Sequence, residues 1–296
     1  MNMQSLPSNP FDPDQTEAYW PWRERKLAHH PARLEDLIVE VRDPGQLRES
    51  EREAILGHCR HANMAIYASP LGKAPDKDRI HRLGLQLGLA RLDHNPGADE
   101  DAITSLAVQD DAYHRGYIPY SNRPIAWHTD GYYNPPQRQI HGMLLHCVQP
   151  AAEGGRNQLL DHEMLYIALR DRNPDYIRAL LHPQAMTIPP NRVDGVETRP
   201  ASTGPVFGIR PDGALHMRYT DRSRSIVWRD DPLTQEAVGY LKDWLRQPSP
   251  WHFDGHLEAG QGLICNNVLH TRTGFTDGDL PRLLYRARYY DRIQGT

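Results

Sequence analysis

The sequence predicts an α+β, β-rich fold: a sandwich or jelly-roll core decorated by helices. Three observations carry this expectation. From about residue 104 the chain alternates short β-type runs with turn clusters rich in Gly and Pro. Helical patterns with N-cap residues stand among and ahead of those runs. A content of 39% hydrophobic and 24% charged residues disfavours disorder, coiled coil and collagen.

Residues 1–35 are rich in proline and polar groups and read as an extended arm with little regular structure, anchored by Trp20 and Trp22. LIVEV at 37–41 reads as a strand, residues 49–61 as a helix, MAIYA at 64–68 as a strand, and 76–92 as a helix with an acidic first turn. The later β-type runs are ITSLAV, PIAWHTD, QIHGMLLHCV, AMTIP, PVFGIR, ALHMRY, SIVW, GLICNN and PRLLYRARYY. Two helices interrupt them. One is capped by Asp161. The other, at 231–247, has Asp231 at its cap, Pro232 in its first turn and a stripe of Leu233, Ala237, Tyr240, Leu241 and Trp244. No boundary stands out, so 36–296 is expected to form a single domain.

A formal charge of −4 gives no global pull toward nucleic acid or anionic membrane. Cys59, Cys147 and Cys265 are far apart and suggest neither a disulfide framework nor a zinc knuckle. No cationic start precedes an apolar stretch and no 18-residue apolar run occurs, so a cytoplasmic setting is expected.

The chemistry centres on PIAWHTDGYYNPPQRQIHGMLLHC. Residues two apart on a strand share a face, so His128 and Asp130 can reach one ion. With a distant second histidine they make two imidazoles and a carboxylate on one face of an octahedron. That is the facial triad of non-haem Fe(II) oxygenases, whose open positions accept a keto acid and dioxygen. The pair alone is weak. Sixteen histidines and 38 acids yield about two such pairs by chance, and His256-Leu257-Glu258 is a second.

The surroundings of the first pair add specificity. EGG at 153–155, then NNVLHTRTGF and PRLLYRARYYD, follow it in order. Together these resemble the superfamily of taurine dioxygenase and γ-butyrobetaine hydroxylase, in the style of the latter branch. The resemblance covers about 104–292 and implies a double-stranded β-helix (jelly-roll) core. It implies Fe(II) held by His128, Asp130 and His270, with 2-oxoglutarate and O2 as co-substrates. Arg282, 12 residues past His270, matches the arginine that grips the far carboxylate of 2-oxoglutarate. Asn157 stands where the family usually has Thr or Ser at that site. Arg286 matches an arginine that grips an anionic group of the substrate, with Arg288 as its competitor on the same face.

Tyr120, Asn122, Trp127, Tyr132 and Tyr133 flank the metal motif as candidate pocket residues, the alternative being ordinary β core. His141 and His146 lie on opposite strand faces and read as packed residues. The expected function is Fe(II)- and 2-oxoglutarate-dependent hydroxylation of a small polar, zwitterionic substrate. The rivals are a jelly-roll sensor that binds metal without turnover and a zinc hydrolase. Neither nucleic acid nor membrane is an expected partner, and a homo-oligomer stays open.

Overall fold

The computed structural model describes residues 8–70, 76–94, 99–109, 118–193, 195–222 and 226–296. The chain divides into two compact units, where the sequence reading expects an arm and a single domain. One unit comprises 31–161, 219–222 and 248–296, the other 1–30, 162–218 and 223–247. Because the segments interleave, no linker marks the division.

The first unit contains the two main sheets. Their strands, in chain order, are β1 Ile38–Glu40, β2 Met64–Ala68, β3 Thr104–Leu106, β4 Ile125–His128, β5 Gly142–Gln149, β6 Asn157–Leu160, β7 Phe253–Gly255, β8 Gln261–Cys265, β9 Leu269–Arg272 and β10 Leu283–Tyr289. Six pair in the order β1-β2-β8-β5-β10-β3 and four in the order β7-β6-β9-β4. Only β1 and β2 run parallel within these sheets.

The near-continuous apolar run of β5 follows from burial on both faces. Met143, Leu145 and Cys147 join Leu159 and Phe253 of the four-stranded sheet in one apolar cluster. Leu144 faces the other way, into a cluster with two helices, α2 (Glu49–Ala62) and α3 (Lys77–Gln86). His146 shares that outer side, fully buried and hydrogen-bonded through Nδ1 to the Tyr67 hydroxyl at 2.7 Å. The same alternation governs β10. Leu284 faces the sheet–sheet core while Tyr285, Ala287 and Tyr289 face the helices, which turns Arg286 and Arg288 inward.

Asp76 caps α3 by accepting from the Arg79 amide at 3.1 Å. The helix stops at Gln86, short of the expected 92, because Gly88 turns left-handed at φ +81°. A Cβ there would lie 2.8 Å from Gln294 Cβ.

The other unit corrects the reading of the N-terminal arm. Thr16–His29 is a helix, α1, with Pro21 inside it. Its Tyr19 and Trp22 pack edge-on or tilted around Tyr166, and Trp22 also meets Phe11 at 4.9 Å. That aromatic packing outweighs the one helix bond that proline removes. Trp20, half exposed, does not anchor it. Also in this unit are α4 (His162–Arg172), α5 (Pro174–Leu181) and α6 (Pro232–Arg246). The buried face of α6 is Thr234, Ala237, Val238, Leu241 and Leu245, rotated from the expected stripe; Leu233, Tyr240 and Trp244 are only half-buried. No described helix is long and apolar enough to cross a membrane.

Candidate metal centre

Strands β4 and β9 are antiparallel neighbours, with His128 directly opposite His270. The two ring centroids lie 4.1 Å apart. His128 Nδ1 is 2.9 Å from the Ala126 carbonyl and His270 Nδ1 is 3.0 Å from that of Val268. A carbonyl only accepts, so each Nδ1 carries the hydrogen and each Nε2 keeps its lone pair.

Asp130 lies past the end of β4, in a turn that Gly131 completes at φ +66°. A Cβ on Gly131 would lie 2.4 Å from Ile140 Cγ1, so the turn needs glycine. Ligand atoms of His128, Asp130 and His270 all fall within 4.8 Å of one another.

The charge state suits a divalent cation. Asp130 Oδ1 meets Arg286 Nη1 at 3.3 Å, whereas Oδ2 is buried without a hydrogen-bond partner among the described residues. A buried carboxylate oxygen left without a donor beside two imidazole lone pairs is what a cation would satisfy. Burial alone would raise the Asp130 carboxyl, but Arg286 and Arg288 outweigh it and hold it well below the usual range. Burial, then the neighbouring His270, pushes His128 down to about 3, and burial likewise lowers His270. One carboxylate and two neutral imidazoles are the protonation states a metal requires.

Arg282 stands just before β10 and is 4% exposed. Among the described residues its guanidinium forms no hydrogen bond or salt bridge, although the nearby Asp277 carboxylate favours its charge. It lies over the Phe275 ring at 4.9 Å, and its backbone N–H donates to Asp277 Oδ1 at 2.8 Å. Burial lowers its pKa. Such a buried, unpaired fork suits a ligand carboxylate.

Residues 25–288 match the family described as taurine catabolism dioxygenase TauD, TfdA. The chain belongs to that family. Two relatives named uridine-5'-phosphate dioxygenase are similar in sequence. The one from Amycolatopsis sp is 31% identical over 173 residues, 55% of this chain and 60% of that protein, under two thirds of its length. The one from Streptomyces sp is 31% identical over 199 residues, 64% of this chain and 69% of that one. Among solved structures, PvcB, described as an Fe, alpha-ketoglutarate dependent oxygenase from an isonitrile synthetic pathway, shares the fold. Its TM-score is 0.55 at 17% identity, over 86% of this chain and 85% of that chain; another structure of PvcB is of the Pseudomonas aeruginosa protein.

The remaining candidates fall in different places. Asn157 lines a small apolar cavity together with His270, Leu145 and Leu263, and its Nδ2 donates to the Thr271 carbonyl at 2.7 Å. Arg286 faces inward beside Asp130, and its Nε is buried without a hydrogen-bond partner among the described residues. Tyr120 sits in the apolar cluster between the sheets, and burial raises its pKa. Asn122 is exposed. Trp127 is buried against His252, with ring centroids 5.3 Å apart. Tyr132 and Tyr133 meet edge-to-face at 5.2 Å. The rival pair at His256 closes on itself, with Nδ1 3.2 Å from Glu258 Oε1, outside the metal-candidate cluster.

Arg288, the expected competitor of Arg286, is engaged. It pairs with buried Asp93 and donates to the Tyr133 hydroxyl at 2.9 Å. Asp93→Ala would strand that guanidinium in the interior, at an expected cost of about 3–5 kcal/mol. Urea denaturation reads this, and a loss below about 1 kcal/mol would mean that the other neighbours of Arg288 suffice.

Sequence reasoning missed two residues beside the candidate site. Arg272 donates to the carbonyls of Pro119, Ile118, Ser121 and Arg123, the last two at 2.6 Å, and so fixes the turn that carries Tyr120 and Asn122. Asn267 binds the backbone of Asp130. The one signal for it was the Asn266-Asn267 doublet ahead of His270.

Proposed function

We propose that the protein binds Fe(II) through Nε2 of His128, Nε2 of His270 and the Asp130 carboxylate, and oxidises a C–H bond of a small anionic substrate. The observation that carries the reading is the orphaned Asp130 Oδ2 beside two imidazoles whose Nδ1 atoms are both occupied. Two sheets sharing one apolar cluster support a double-stranded β-helix core. Three buried free thiols suit a reducing, cytoplasmic compartment.

When bound, metal and 2-oxoglutarate would supply an oxidative decarboxylation in which O2 is the oxidant, one oxygen atom ending in succinate as CO2 leaves and the other oxidising the substrate C–H bond. The protein supplies position. Arg282 takes the far carboxylate of the keto acid with its planar fork. Buried apolar neighbours such as Leu145, Leu159 and Leu263 exclude water from the cavity beside His270. Arg286 uses one Nη on Asp130 and keeps further N–H groups for a substrate anion.

The aromatic half of a zwitterion site has less support, because Tyr120 packs in the core. An anion is common to zwitterions and to the phosphate ester for which the relatives are named. Uridine-5'-phosphate is therefore the first substrate to offer, beside uridine, taurine and small betaines. Succinate release stimulated by the anionic compounds and not by uridine supports the reading. Release stimulated by none of them, with metal and keto acid bound, would favour a sensor without turnover. Arg286→Ala should raise the substrate KM by at least about 30-fold under saturating metal while sparing 2-oxoglutarate affinity. An unchanged KM would remove Arg286 from the substrate site.

A further inference from the structure

Sheet register explains two of the three ligands. His128 and His270 are paired across β4 and β9, so the ladder fixes the distance between them. Asp130 has no such support, since it lies beyond the strand in a turn. Its neighbour Thr129 is tied on the other side, donating its N–H to the Tyr219 carbonyl at 3.0 Å. The backbone of Asp130 itself is bound by one side chain. Asn267 Oδ1 accepts from the Asp130 N–H at 2.8 Å, and Asn267 Nδ2 donates to the Asp130 carbonyl at 2.9 Å. The same Nδ2 donates to the Ile140 carbonyl at 2.7 Å, joining the far side of the turn.

This amide is fully matched. One acceptor meets one backbone donor and two amide hydrogens meet two carbonyls, so its orientation follows from chemistry alone. Asn267 is 1% exposed and left-handed at φ +52°, a conformation that asparagine tolerates better than most residues. It stands three residues before His270, so one short segment carries both a ligand and the clamp on another ligand.

We propose that Asn267 is the positioning residue for the carboxylate ligand: it orients Asp130 toward the metal without touching metal or substrate. The inference rests on the metal reading of the triad. A side chain that orients a ligand is worth about 10–100-fold in metal affinity.

The test is Co(II) titration of the metal-free protein under nitrogen, with thermal unfolding recorded on the same samples. Asn267→Gly keeps the left-handed backbone and removes the clamp. It should weaken Co(II) binding by about 10–100-fold. In an Asp130→Ala background it should cause no further loss, since the group it orients is gone. Asn266→Ala is the structural control. That neighbour holds Asn63 and Thr296 instead, so its loss should lower the unfolding temperature and leave Co(II) affinity unchanged. Should Asn267→Gly fail to fold, Asn267→Asp keeps the acceptor, loses both donors and should weaken Co(II) in the same direction. Should both fail, the Asp130 amide of the metal-free wild type should resist hydrogen exchange although it lies outside the ladder, and rapid exchange overturns the proposal. Co(II) affinity within about twofold of wild type in a folded variant, or full additivity with Asp130→Ala, overturns it too. Failure of the wild type to bind Co(II) would instead sink the metal reading itself.

Discussion

Alanine at His128, Asp130 or His270 is expected to reduce turnover by at least about a thousandfold and to weaken Fe(II) binding sharply while the fold persists. The three act as one ligand set, so a second alanine should add little to the first. His128 ends β4, Asp130 lies in the turn beyond it and His270 is the second residue of β9, and all three are outside the two large apolar clusters, which is why stability should suffer less than activity. A double change at His256 and Glu258 is the matched comparison. It removes the other His-x-acid pair, whose Glu258 is largely exposed, and should leave iron affinity and succinate formation near wild type. Full activity in Asp130→Ala together with a dead His256/Glu258 variant would reverse the assignment.

The second large effect is expected at Arg282. Lysine there keeps the charge and loses the planar fork, so 2-oxoglutarate affinity should fall by about a hundredfold, within the range for truncating a buried charged pair. The environment sharpens the expectation. The guanidinium is 4% exposed and lies over Phe275, a packing that a lysine ammonium would not reproduce. Anaerobic titration of 2-oxoglutarate into the Fe(II) protein, followed by the metal–keto-acid charge-transfer band, reads affinity without turnover. An unchanged affinity would move the role elsewhere, with Arg286 as the next guanidinium to test, since only one of its Nη atoms is bonded to Asp130.

Much of the scaffold was legible because its signals are local. Runs such as MAIYA, GMLLHCVQ and LLYRARY carry β-branched or apolar residues between Gly and Pro breaks, and each became a strand of the six-stranded sheet. Asp76 and Asp231 announced their helices by the same capping bond. The misses have physical causes. Pro21 hid α1, which aromatic packing holds in place. The Asn173 cap and Pro174 marked α5, but the segment is only eight residues long.

At the candidate metal centre the residue types stand out in the sequence and their partners do not. Arg286 was expected to grip substrate, and nothing in the sequence signals that it also bonds Asp130, 156 residues away. Arg272 and Asn267 act on backbone carbonyls and an amide. Every residue offers those groups, so no pattern of residue types points to them. Asp93 met Arg288 only because strand pairing brought distant segments together.

The facing histidines are 142 residues apart in the chain, and between them lie the segments 162–218 and 223–247 of the other unit. Contacts of such long separation form late, because the entropy of closing the loop must be met before they add any stability. A nascent chain therefore has no place to hold the ion, unlike a zinc finger, whose ligands gather around the metal and fold with it. Iron is expected to enter a finished scaffold. A chelator should accordingly empty the site of this protein and leave its sheets standing, and readdition of Fe(II) should restore it without a refolding step.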